Sequence, residues 1–190
     1  MPPGIFYINF REMNLYFIAV EPPREISDKI RAVSKDFADR FESVKAYKNF
    51  PHITIIPVFK LPEEKEELLL NNFSSIKLET PAFELQLNGF QAFQNKKNPV
   101  IYIHPENKEQ LKQLFSELSV FFNASSGKSF HPHLTVAYRD LTLQNFELAW
   151  SEYEGKPFRE SFTVHKTGLY KYINNRWVLQ REINLPAETV

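Results

Sequence analysis

Apolar residues recur along this chain in two rhythms, one of period two and one of helical spacing. Leu15 to Val20 is a short apolar run stopped by Pro22-Pro23, which predicts a buried strand. Ile26, Ile30, Val33, Phe37 and Phe41 follow at helical spacing with charges between them, predicting an amphipathic helix with a core-facing stripe. Pro51 to Phe59 reads as the second strand. Pro62-Glu63-Glu64 then opens a helix running to about Asn71, with Pro in the first turn and acids at the positive end of the dipole. The glutamates of that turn read as a solvated face. Residues 82–104 alternate as a hairpin around the polar stretch 91–98. Pro105-Glu106 starts a third helix with Leu111, Leu114, Phe115, Leu118 and Phe121/Phe122 inside, and Ser125-Ser126-Gly127-Lys128 is a loop. A strand from 131 to 139, a weaker helix from Leu143 to Trp150, and strands 162–169, 170–174 and 177–183 complete the chain, with Asn174-Asn175 as a tight turn.

The order strand, helix, strand, helix occurs twice, and so does one phrase. Phe50-Pro51-His52-Ile53-Thr54-Ile55-Ile56 and His131-Pro132-His133-Leu134-Thr135-Val136-Ala137 share the frame x-Pro-His-apolar-Thr-apolar-apolar. Proline at a strand start loses little, because its missing N–H is least needed there. Residues two apart on a strand share a face, so His52 projects with Thr54 and His133 with Thr135, while Ile53 and Leu134 face the other way. One His-x-Thr is commonplace, but two in one frame among five histidines form the strongest signal in the chain. The expectation is one α+β domain over residues 1–190, with 1–12 as an N-terminal extension. It is bilobal: two pseudo-symmetric lobes of mainly antiparallel sheet with outer helices, and a central cleft carrying both His-x-Thr strands.

Composition narrows the chemistry. With no cysteine, a disulfide scaffold, a thiolate nucleophile and a cysteine-based zinc site are excluded. Lys plus Arg equal Asp plus Glu at 23 each, which suits a nucleotide or an RNA end better than a long duplex gripped through many phosphates. No run reaches the length of a membrane span, and no charged segment followed by an apolar one marks a secretory signal, so a cytoplasmic monomer without membrane contact is expected.

The paired motifs resemble those of the two-histidine phosphoesterases, in particular the 2′-5′ RNA ligase-like and cyclic phosphodiesterase branch. The similarity extends to Leu15-Tyr16-Phe17-Ile18-Ala19-Val20-Glu21-Pro22-Pro23 and to Gly89-Phe90 through Asn98-Pro99-Val100-Ile101-Tyr102-Ile103, spanning roughly residues 14 to 175. It implies hydrolysis of 2′,3′-cyclic phosphate or 2′-5′ bonds of nucleotides or RNA ends, with no metal and no cofactor. His52 and His133 would be the catalytic pair, and family analogy would make His52 the acid and His133 the base. Thr54 and Thr135 would hold phosphate oxygens. The family's substrates range over RNA cyclic ends, small cyclic nucleotides, ADP-ribose cyclic phosphate and 2′-5′ linkages, and loops 91–98 and 123–130 would decide among them.

Other residues join as substrate-binding candidates. Strand alternation puts Arg139 on the His133/Thr135 face, where it either neutralises phosphate or makes a surface ion pair. Phe50 and His131 occupy equivalent positions two before each histidine and either stack on a base or ribose or serve as structural neighbours. His104 and His165 carry no motif. Three alternatives stand beside hydrolysis. His52, His131 and His133 could bind zinc, but carboxylates near them are scarce and the threonines would be unexplained. The chain could bind nucleotides without turnover. It could also run the reverse reaction as an RNA 2′-5′ ligase.

Overall fold

The computed structural model describes residues 13–122 and 130–187. The expected loop 125–128 and the extension 1–12 lie outside the described residues. The strands are β1 (Met13–Val20), β2 (Ile53–Pro62), β3 (Phe83–Phe93), β4 (Val100–Pro105), β5 (Leu134–Ala137), β6 (Arg159–Val164), β7 (Lys166–Ile173) and β8 (Arg176–Asn184). The helices are α1 (Arg24–Phe41), α2 (Val44–Tyr47), α3 (Glu66–Ser75), α4 (Glu109–Phe122) and α5 (Leu143–Tyr153), with a 3₁₀ turn at Glu63–Lys65.

The strands lie in the order β6-β3-β4-β5-β2-β1-β7-β8, with antiparallel pairing throughout. The order divides into two halves of four. β2 and β5, the strands after the two histidines, are the inner edges of these halves. They meet through one residue pair, Ile53 with Leu134. Helices pack across this join: α1 lies against β5 and α4 against β2, so each half covers the other's inner strand.

β1 separates two apolar clusters, as period-two alternation requires. Tyr16, Ile18 and Val20 join the main core with Ile30 and Phe37 of α1, Ile53, Leu134 and Leu114. Phe17 and Ala19 join a second cluster with Tyr170, against which Phe50 and Trp177 pack. The second cluster therefore lies on the sheet face away from the main core.

Several element boundaries differ from the sequence expectation: β2 runs on to Pro62, so the helix expected from Pro62 begins as the 3₁₀ turn at Glu63 and becomes α3 at Glu66. The strand expected over 131–139 is formed only from Leu134 to Ala137, and Arg139 beyond it takes a left-handed φ of 63°. The strands expected over 162–169 and 170–174 divide elsewhere: the break falls at His165, and β7 runs unbroken from Lys166 to Ile173. β6 pairs with β3 in one half and β7 with β1 in the other, with His165 alone between them. Hydrophobic alternation runs on through this exchange because it records burial, not partner. Helix α4 begins at Glu109, since Pro105 is still the last residue of β4. The expected tight turn is present: Asn174 and Asn175 have φ of 48° and 63°, the two positive values that a type I′ hairpin requires.

Candidate active site

The two motifs have matching burial. Pro51, Ile53, Ile55 and Ile56 are buried, as are Pro132, Leu134, Val136 and Ala137, while His52, Thr54, His133 and Thr135 are half-buried. In an antiparallel pair, residues directly opposite share a face. Ile53 opposite Leu134 thus places both apolar side chains toward the helices. Alternation from this pair turns Thr54 and Thr135 to the opposite face, and His52 and His133 each stand immediately before the first residue of their strand. The half-buried His52 and His133 are near enough to interact electrostatically.

Each imidazole is held by its own backbone. His52 Nδ1 lies 2.8 Å from the Phe50 carbonyl oxygen, and His133 Nδ1 lies 2.7 Å from the His131 carbonyl oxygen. A carbonyl only accepts, so Nδ1–H donates in both and Nε2 is the nitrogen that exchanges protons. Aromatic rings fix the remaining freedom. His52 has Phe17 and Phe50 at centroid distances of 5.0 and 4.8 Å, and His133 has Phe93 and Tyr102 at 5.0 and 5.3 Å.

The environment separates the two histidines electrostatically. Burial drives the His52 pKa down to about 4, against the bond from Phe50, and the charge of a protonated His133 lowers it further. Burial also lowers that of His133, again opposed by its backbone bond, with His131 lowering it a little more. Mutual repulsion makes a single proton on the pair the favoured protonated state, and the large lowering at His52 directs that proton to His133.

The other expected residues fall into different positions. Phe50 contributes both its carbonyl and its ring, which also stacks on Tyr170 at 4.7 Å. His131 contributes its carbonyl, and its side chain is exposed. Arg139 is exposed outside β5, with its guanidinium carbon 5.3 Å from the Tyr138 ring centroid, so strand alternation does not set its direction. Among the described residues, no three of His, Cys, Asp or Glu gather as a metal-holding cluster.

The structure adds residues that the motif search passed over. Ile103 also pairs with Leu134, and the buried Nδ1 of His104, next along β4, has no hydrogen-bond partner among the described residues. Asp140 Oδ1 accepts from the Ser43 hydroxyl at 3.0 Å, and Oδ2 accepts from the Val44 and Lys45 N–H groups at 3.0 Å each. This carboxylate ties the exit of the second motif to the helix that leads into the first. Phe17 and Tyr170 alternate correctly for this face, but their proximity to His52 depends on strand pairing that sequence alone does not display.

Comparison with known proteins agrees with the geometry. A protein of Bacillus cytotoxicus that carries the name phosphoesterase is 26% identical over 170 residues, covering 88% of this chain and 95% of its own. Escherichia coli LigT in its apo form superposes with a TM-score of 0.62 at 22% identity, over 92% of this chain and 99% of LigT. TT0787 of Thermus thermophilus superposes with a TM-score of 0.61 at 17% identity, over 92% of this chain and all of the other. These superpositions establish the fold. The family model of the 2′-5′ RNA ligase superfamily matches residues 22–176, a span containing both His-x-Thr strands, and the chain belongs to that superfamily of two-histidine phosphoesterases.

Proposed function

We propose that this protein is a metal-independent phosphoesterase that opens 2′,3′-cyclic phosphates or cleaves 2′-5′ phosphodiester bonds of nucleotides or RNA ends. The observation that supports this reading is the pair of Nδ1-anchored imidazoles that precede the paired residues Ile53 and Leu134. Hydrolysis needs a base that takes a proton from water and an acid that returns one to the departing ribose oxygen. The two must act from opposite sides of phosphorus for in-line displacement, and two separated imidazoles meet that demand. Thr54 and Thr135, one from each motif, donate hydroxyl hydrogen bonds to the non-bridging oxygens as charge shifts onto them.

The large lowering of the His52 pKa favours His52 as base and His133 as acid, the reverse of the assignment by family analogy. LigT has been solved with 3′-AMP and with phosphate, which supports a nucleotide phosphate as the group held between the histidines here. Incubation of the purified protein with a 2′,3′-cyclic nucleotide, a cyclic-ended oligonucleotide, ADP-ribose cyclic phosphate and a 2′-5′ dinucleotide tests the reading. Release of a single phosphomonoester from at least one of them is expected. Absence of turnover on all four contradicts it.

A further inference from the structure

Thr135, Tyr102 and Gln91 stand in one row across three strands. Thr135 pairs with Tyr102 of β4, and Tyr102 pairs with Gln91 of β3. Residues directly opposite one another in antiparallel pairs share a face, so all three side chains lie on the face of the second motif's threonine. Tyr102 is buried, and its ring centroid is 5.3 Å from that of His133. Phe93, two residues along β3 from Gln91, also lies against His133, at 5.0 Å between centroids. The segment of β3 that carries Gln91 therefore borders the second histidine. The Tyr102 hydroxyl donates to Gln91 Oε1 at 3.1 Å. Burial pushes the pKa of this phenol up, so the hydroxyl keeps its proton and remains a donor. Gln91 itself is exposed, and with its carbonyl oxygen held by Tyr102 its amide presents the Nε2 donors away from the phenol.

We infer that Gln91 is a nucleoside-binding residue of this site: its amide N–H groups, oriented by the Tyr102 hydroxyl, donate to an acceptor on the base or ribose of the nucleotide whose phosphate lies between the histidines. This rests on the phosphoesterase reading and adds to it the residue that holds the nucleoside. Two strand spacings separate Gln91 from Thr135, roughly 10 Å between their backbones. A phosphate oxygen held by the Thr135 hydroxyl is beyond the Gln91 amide, whereas a nucleoside attached to that phosphate spans the gap. The chemistry of the two sides favours this direction. Phe17 and Phe50, the rings against His52, carry no polar side-chain atom and can offer a nucleoside no hydrogen bond. On the His133 side an exposed donor is present and already oriented, so less side-chain freedom is lost when it bonds a ligand.

Titration calorimetry of the purified protein with 3′-AMP and with inorganic phosphate tests the inference without requiring turnover. The wild-type protein should bind 3′-AMP more tightly than phosphate. Gln91→Ala should weaken 3′-AMP roughly three- to ten-fold and leave phosphate unchanged. Gln91→Met, which keeps the side-chain length without the donors, should behave as Gln91→Ala does; both changes are at an exposed position. Tyr102→Phe keeps the ring against His133 and removes only the bond that orients the amide, so it should lower the ratio of the two affinities by a smaller factor. A Tyr102→Phe protein with the wild-type ratio overturns the orienting role of the phenol. Affinity for 3′-AMP that is indifferent to both Gln91 changes, or that falls in step with affinity for phosphate, overturns the inference and leaves the phosphoesterase reading standing. Wild-type protein that binds neither ligand overturns both.

Discussion

Ile53 and Leu134 are antiparallel partners, and their pairing joins the two halves of the sheet. Both are fully buried, and each lies between the His and the Thr of its motif. The spacing of the two imidazoles therefore depends on how these side chains pack. Leu134→Ala should cost about 2–5 kcal/mol in stability, measured by denaturant unfolding. It should also lower kcat in the protein that remains folded, because the motif strands lose the wedge that sets their register.

Asp140 supplies a second tie between the motifs. Its carboxylate is bonded to the Ser43 hydroxyl and two backbone N–H groups, so removal leaves donors near the α1–α2 junction without their acceptor. Asp140→Ala should destabilise by about 1–3 kcal/mol, and Asp140→Asn by less, because the amide keeps one acceptor oxygen. Urea midpoints of the two variants check the order.

Gly168 permits the close approach of the aromatic cluster. A Cβ built there would lie 2.7 Å from Leu179 Cδ1 and 2.9 Å from Tyr170 Cε2. Tyr170 is itself held by its hydroxyl bond to Glu21 at 3.1 Å. Gly168→Ala should cost about 1–3 kcal/mol through overpacking, read as a fall in Tm, and Gly168→Ala combined with Leu179→Ala should recover part of it.

The pH dependence follows from the lowered histidine pKa values. An unfolded chain protonates histidine near 6.5, whereas folded His52 resists protonation down to about 4. The unfolded state thus binds more protons between those values, so stability rises with pH from about 4 to 6.5 and this contribution levels off above. His52→Asn should flatten that slope in urea titrations across the window. For kcat/KM, the active form has His52 neutral and His133 protonated. The optimum for the free enzyme should then fall between about 4 and 6.5, with kcat peaking at higher pH because a bound phosphate anion favours the imidazolium.

Most of the architecture was legible because it is written in local periodicity. The Ile26 to Phe41 stripe, the duplicated motif frame and the Asn174-Asn175 turn each depend on neighbouring residues alone. Partner choice was not legible. No local pattern marks His165 as the point where the chain leaves one half for the other, or Ile53–Leu134 as the join. The early end of β5 is a related case: Tyr138 and Arg139 continue the alternation in sequence, but the backbone turns at Arg139 toward the Asp140 tie. His52, Thr54, His133 and Thr135 could be named because their frame occurs twice. Phe17, Tyr170 and Asp140 could not, because their roles arise from contacts far apart in the chain.

Single-turnover hydrolysis of a 2′,3′-cyclic phosphate by His52→Ala and His133→Ala tests the two-histidine mechanism most directly. Each variant should lose roughly 10²–10⁴-fold in rate, while binding of a non-cleavable analogue falls much less. Thr54→Ala and Thr135→Ala should lose less than either. With a leaving group that needs no proton, the His133 variant should recover and the His52 variant should not. If both histidine variants turn over a substrate of the wild-type protein at the wild-type rate, His52 and His133 are not its catalytic pair.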